Sequence, residues 1–88
     1  MASKFLAVVA IRDRATDSFS NPVVVPHVNV GVRSFADEVK NPQSELSKHP
    51  DDFDLYHLAD FNPDDGSFVP PATGKPEMVA IGKSFASS

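Results

Sequence analysis

The 88-residue sequence contains no cysteine, no tryptophan and only four glycines. The lack of cysteine excludes disulfides and thiolate metal sites together, so packing alone must hold the fold, which suits a reducing cytoplasm. Four scattered glycines cannot frame a phosphate-cradling loop or a nucleophile elbow. No apolar run approaches the roughly 20 residues of a membrane-spanning helix. The apolar start of the chain has no small-residue cleavage site behind it and reads as a strand over residues 4–11, not as a leader. No membrane partner is therefore expected.

Hydrophobic residues make up 41% of the chain, enough for one core. A domain this short buries only about 60–65% of its unfolded surface, so pairing with a second copy would add stability, and a homodimer is expected. No composition break divides the chain. A single domain is expected over residues 1–82, with a flexible tail at 83–88.

The net charge of −4 is unevenly spread. Residues 1–33 carry Lys4, Arg12, Arg14 and Arg33 against Asp13 and Asp17, a balance of +2, whereas residues 34–72 set two lysines against nine carboxylates. A cationic N-terminal part and an acidic middle follow.

Phe5–Ile11 is continuously apolar and rich in strand formers, which predicts a central strand covered on both faces. Val23-Val24-Val25 lies between Pro22 and Pro26; proline cannot donate to a ladder, so this second strand belongs at an edge. Val32, Phe35, Ala36 and Val39 recur at helical spacing behind Asn29 as the expected cap, and Asn41-Pro42 ends the helix. Gln43–Lys48 can add a short turn around Leu46. From Phe53 to Phe61 the pattern has period two, with Phe53, Leu55, His57, Ala59 and Phe61 on one expected apolar face. Asn62–Gly66 is a turn with Gly66 free to take positive φ, Ser67–Val69 returns as the hairpin partner, Pro70–Pro76 is a loop and Glu77–Ile81 a last strand. The order β-β-α-β-β-β defines an α+β class: a small, mostly antiparallel sheet with one helix packed on a face.

Residue spacing argues against chemistry. His49 and His57 have no partner at a metal-ligating interval, so no metal and no cofactor are expected. Asp60–Gly66 looks superficially like a calcium loop, but Asp65 stands where that loop needs glycine and Pro71 where it needs a bidentate glutamate. The serines lie in turns and tails, so an enzyme is not expected. What remains is a binding surface. Lys4, Arg12 and Arg14 flank the first strand, where a phosphate backbone could run, with Phe19 or Tyr56 available to stack on bases. Arg33 and Lys40 share a helix face, with Asp37 between them as a competing salt-bridge partner. Phe5, Phe35, Phe53 and Phe61 are expected in the core, while Phe19, Phe68, Phe85 and Tyr56 are less committed to it.

The run Lys48-His49-Pro50-Asp51-Asp52-Phe53-Asp54-Leu55-Tyr56-His57-Leu58-Ala59-Asp60-Phe61, followed by Asp64-Asp65-Gly66, resembles the small nonstructural DNA-binding protein of gokushovirus-type microviruses, the tailless icosahedral phages with single-stranded DNA genomes. Ile11-Arg12-Asp13, Val32-Arg33-Ser34-Phe35 and Asn41-Pro42-Gln43-Ser44-Glu45-Leu46 fit the same pattern, and the likeness covers residues 4–82. The chain departs from that pattern in a longer Pro70–Pro76 loop and in Val28-Asn29-Val30-Gly31, where an Asp-containing helix start is more usual.

The resemblance implies binding of single-stranded viral DNA in the host cytoplasm, in genome replication or packaging. It carries over no residue-level site. The expected contacts are therefore those read from the residues: Lys4, Arg12, Arg14, Arg33 and Lys40 for phosphate, Tyr56 for stacking. The competing expectation is a protein–protein module, an internal scaffolding or virion-associated factor whose acidic middle meets a basic capsid or replication protein.

Overall fold

The computed structural model describes residues 5–85. Its elements are β1 (Leu6–Asp13), β2 (Ser18–Phe19), β3 (Val23–Val25), α1 (Val28–Lys40), a single turn α2 (Glu45–Lys48), a 3-10 turn Pro50–Asp52, β4 (Phe53–Asn62), β5 (Ser67–Val69), β6 (Glu77–Ile81) and a second 3-10 turn Gly82–Phe85. The α+β layout expected from the pattern is present, with one short strand, β2, in addition.

All strand pairings are antiparallel. The long strands β1 and β4 form the centre; β2 and β3 share the far side of β1, and β5 and β6 share the far side of β4. The apolar run Ala7–Ala10 is buried throughout, as a central strand requires, but a helical layer covers only one of the two faces expected to be covered; on the other, neighbouring sheet side chains shield Val8 and Ala10. β3, fenced by two prolines, takes the edge.

One helical layer covers one face of this sheet. Phe35 and Val39 of α1 join Val9 of β1, Leu55 of β4 and Ala80 of β6 in the core, with Ile11, Val25, Val32 and Phe53 packed around them. The helix comes close at Gly31, where an added Cβ would stand 3.3 Å from a methyl of Val9. The helix begins two residues earlier than Asn29 suggests: His27 is the N-cap, its Nδ1 accepting from the backbone N–H of Asn29. At the other end Asn41 leaves helical geometry before Pro42, its N–H donating to the Glu38 carbonyl, and Lys40 places a cation in the last turn, where the helix dipole favours one.

Two departures from the sequence reading have clear physical causes. First, β4 does not keep one apolar face. Val8 pairs with Ala59 but Val9 pairs with His57, so Leu58 is an extra residue, a β-bulge. A bulge shifts the alternation by one, and the side chains of Phe53, Leu55 and His57 share the helix side while Ala59 and Phe61 fall on the opposite one. Phe61, expected in the core, thus sits half-buried on the uncovered face. Phe5, also expected inside, is 40% exposed.

Second, residues 83–85 are not a flexible tail. Gly82–Phe85 winds into a 3-10 turn that brings the Phe85 ring edge-on to Phe35, with centroids 6.2 Å apart. Burying that ring against the core offsets the entropy of ordering the segment. The other residues assigned to the tail, 86–88, lie outside the described residues.

The β4–β5 turn is built as its composition requires. Gly66 adopts φ 77, and Asn62 and Asp65 accept backbone N–H groups from Asp64 and Ser67. The Ser67 hydroxyl, followed by its N–H, holds the Asp65 carboxyl below the usual carboxylate range.

Candidate nucleic-acid interface

Paired residues in a ladder project to the same side of a sheet. Because Val9 points at Gly31 of the helix, its neighbours Val8 and Ala10 must point away from it, and the register then assigns the whole opposite face. Four rows cross it. The first is Phe19–Arg12–Asp54–Ile81 and the second Ala10–Tyr56–Met78. The third is Val24–Val8–Ala59 and the fourth Leu6–Phe61–Phe68. Alternate residues of a strand stand about 6.8 Å apart, so first and fourth rows are separated by roughly 20 Å.

Among the described residues no helix packs on this face. Phe19, Val24, Phe68 and Met78 are exposed there, Phe68 most of all at 64%. Four large apolar side chains are thus exposed on one side of a small domain.

At one end of the face, Phe19 and Tyr56 meet edge to face with ring centroids 5.3 Å apart and planes at 78°. They reach each other across Ala10, whose small side chain leaves the space and is itself buried beneath them. Arg12 is the ladder partner of Phe19 and lies beside Tyr56. The arginine is paired: its guanidinium donates to Asp17, in the β1–β2 turn. Asp17 stands in the left-handed region at φ 55, a conformation that aspartate tolerates better than most residues. The hydrogen bond to Asp17 holds the Arg12 pKa above its ordinary value, against a smaller opposing effect of desolvation, with Tyr56 contributing in the same direction.

Arg14 is committed more deeply. Its Nε donates to Asp54 Oδ2 at 2.6 Å, and the Asp54 side chain is 1% exposed. Asp54 Oδ1 has no hydrogen-bond partner among the described residues. Arg14 therefore compensates a buried carboxylate.

The structure brings Arg12, Arg14 and Tyr56 to one end of one face, and it separates them from Arg33 and Lys40. Arg33 and Lys40 lie exposed on the outer side of α1, across the sheet, and neither is ion-paired to Asp37 among the described residues. Lys4 lies outside the described residues. The register places Phe19, a stacking candidate by residue type, in the cluster. Met78, Phe61 and Phe68 also share this face; the period-two pattern cannot show it, because the Leu58 bulge breaks the alternation before Phe61 and the run around Phe68 is too short to assign a face.

On the helix side, His57 and Asp60 form a 2.8 Å pair. Among the described residues no group of three or more His, Asp or Glu is placed to hold a metal ion, and no helix is long and apolar enough to cross a membrane.

A single helical layer on an antiparallel sheet, with aromatic rings and a guanidinium on the uncovered side, defines a two-layer α+β domain with an open face. The chain matches the family of the phage ORF5 protein over residues 6–85 and belongs to it; it is a phage protein. No curated protein and no solved structure shows a significant match.

Proposed function

We propose that this phage protein binds single-stranded DNA on the open face of its sheet, stacking unpaired bases on Phe19 and Tyr56 while Arg12 meets a phosphate. The observation that carries the reading is the edge-to-face pair of exposed Phe19 and half-buried Tyr56 beside Arg12. Aromatic rings on an open sheet are a sequence-tolerant platform for bases, each stacked base contributing about 1–3 kcal/mol. Membership of a phage family and the likeness to microvirus DNA-binding proteins support the same reading. The protein then acts by occupancy, in the host cytoplasm, during replication or packaging of the viral genome.

This reading shifts the weight from phosphate contacts to stacking. Arg14 is tied to Asp54, and Arg33 and Lys40 face the other way, so among the described residues that the sequence singles out, Arg12, itself paired to Asp17, is left as the cation of the site. The expected salt dependence is correspondingly shallow, a log–log slope of about −0.7 to −1 instead of the −3 or steeper that four or five phosphate contacts would produce. Duplex DNA, whose bases are already stacked, binds more weakly than single strands.

Fluorescence titration of an oligonucleotide tests it. Tyr56→Ala and Phe19→Ala should each weaken binding by about 5- to 150-fold. Asp17→Gly should strengthen it, because it frees Arg12 and relaxes a left-handed backbone position. Wild-type affinity in both alanine variants would defeat the proposal.

A second reading, a module that binds a basic viral capsid or replication protein, is favoured by the net charge of −4 and by the carboxylates already paired to Arg12 and Arg14. Co-sedimentation with procapsids, set against retention on single-stranded DNA, separates the two.

A further inference from the structure

The open face carries a second pair of rings. Phe61 and Phe68 meet across the β4–β5 ladder with centroids 5.3 Å apart and planes at 50°. The pair is built like that of Phe19 and Tyr56, whose centroids are also 5.3 Å apart. In each, an exposed ring from a short outer strand, Phe68 at 64% and Phe19 at 46%, leans on a half-buried ring of β4.

Resting on the DNA-binding reading, we infer that the Phe61–Phe68 pair is a second base-stacking subsite for the same single strand, so that the complete site runs along β4 from Tyr56 to Phe61. The two subsites are continuous. Tyr56 and Phe61 project from one strand to one face, and the ladder row between them is Val24–Val8–Ala59, with Val8 itself buried.

Their spacing suits a nucleotide chain. Tyr56 and Phe61 stand two rows apart, about 14 Å, and Phe19 and Phe68 three rows apart, about 20 Å. A stacked strand advances about 3.4 Å per nucleotide, so the two pairs are separated by roughly four to six nucleotides. That length lies within the roughly 4–16 nucleotides held by a compact single-strand-binding domain.

The chemistry of the second pair fits the same ligand. Every base has a π-face, and stacking on a ring needs no cation, so bases can lie on Phe68 while their phosphates stay in water. Joining two weak subsites on one strand makes the second contact intramolecular, and affinity then depends on a strand long enough to reach both.

Titration of the whole chain with oligothymidylates of three and ten nucleotides, followed by NMR chemical shifts, tests the length of the site. The trinucleotide, about 10 Å long when stacked, covers one pair at a time, and the decanucleotide covers both. Phe68→Ala should weaken decanucleotide binding by about 5- to 150-fold and trinucleotide binding by no more than about twofold. The salt slope should stay as in wild type, since no charged side chain stands in the third or fourth row. Phe68→Leu, which keeps the apolar bulk and loses the ring, should behave as the alanine variant, and Phe68→Tyr should bind as wild type. Wild-type decanucleotide affinity in Phe68→Ala and Phe68→Leu, with Tyr56→Ala still weakened, would overturn the second subsite and leave the first standing. A Phe68-dependent rise in sedimentation mass alongside that result would assign the ridge to a second copy instead. Absence of binding to either oligonucleotide by the wild-type chain would overturn both.

Discussion

Arg14→Met should destabilise the protein by about 3 kcal/mol, although Arg14 lies at the surface and belongs to no hydrophobic cluster. The cause is Asp54. Its carboxylate is buried within the sheet with one oxygen held by Arg14 Nε and the other unpartnered among the described residues. Removing one member of such a pair leaves a charge without compensation, which costs about 3–5 kcal/mol; the lower end applies because the Arg14 side chain is 47% exposed and water already reaches it. At roughly 4–8 °C per kcal/mol for a domain of this size, the melting temperature should fall by more than about 10 °C.

A second substitution gives the result its meaning. In the Arg14→Met/Asp54→Leu pair no charge remains to be compensated, and stability should return close to wild type. Urea titrations of the two variants measure both effects. Equal stability of Arg14→Met and wild type would mean that Asp54 does not depend on this partner. Under the proposed DNA-binding function, the affinity of folded Arg14→Met for single strands should be unchanged, because Arg14 is committed to Asp54.

Gly82→Ala is the other large effect. A Cβ on Gly82 would lie 2.4 Å from the Pro50 carbonyl oxygen and 2.6 Å from that of Phe53, distances at which backbone must move. The last 3-10 turn would have to lift away from the Pro50–Asp52 turn, taking Phe85 from its contact with Phe35. Overpacking of this kind costs about 1–3 kcal/mol, and rigid backbone on the receiving side places it at the upper end. Gly66→Ala is the comparison: nothing lies within 4 Å of its Cβ, and only the positive φ of 77 resists it, so the loss should be about 1 kcal/mol. Thermal melts of both variants should rank them in that order. Hydrogen exchange should locate the Gly82→Ala loss in residues 82–85.

The strong local patterns were readable from the residues. The apolar run Phe5–Ile11, the helical spacing Val32–Phe35–Val39 and the Asn62–Gly66 turn between alternating segments each report their own geometry, and each became the expected element. The candidate site was legible only in part. Tyr56, Phe19 and Arg12 could be chosen by residue type, but their meeting across Ala10 depends on the pairing of β1 with β2 and β4. Arg33 and Lys40 were as reasonable as Arg12 until the helix placed them on the far side.

Side-chain periodicity and turn chemistry are local, so the sequence alone determined the class, the order of the elements apart from the two-residue β2, and a cysteine-free core closed by packing. Whether a cation is free or spent is not local. Arg14 and Asp54 are 40 positions apart, the Leu58 bulge that moves Phe61 to the open face follows from strand register, and Gly82 is required by carbonyls of Pro50 and Phe53. Those were decided by tertiary structure, because only the folded chain sets distant charges in contact and chooses which face of a sheet a helix leaves bare.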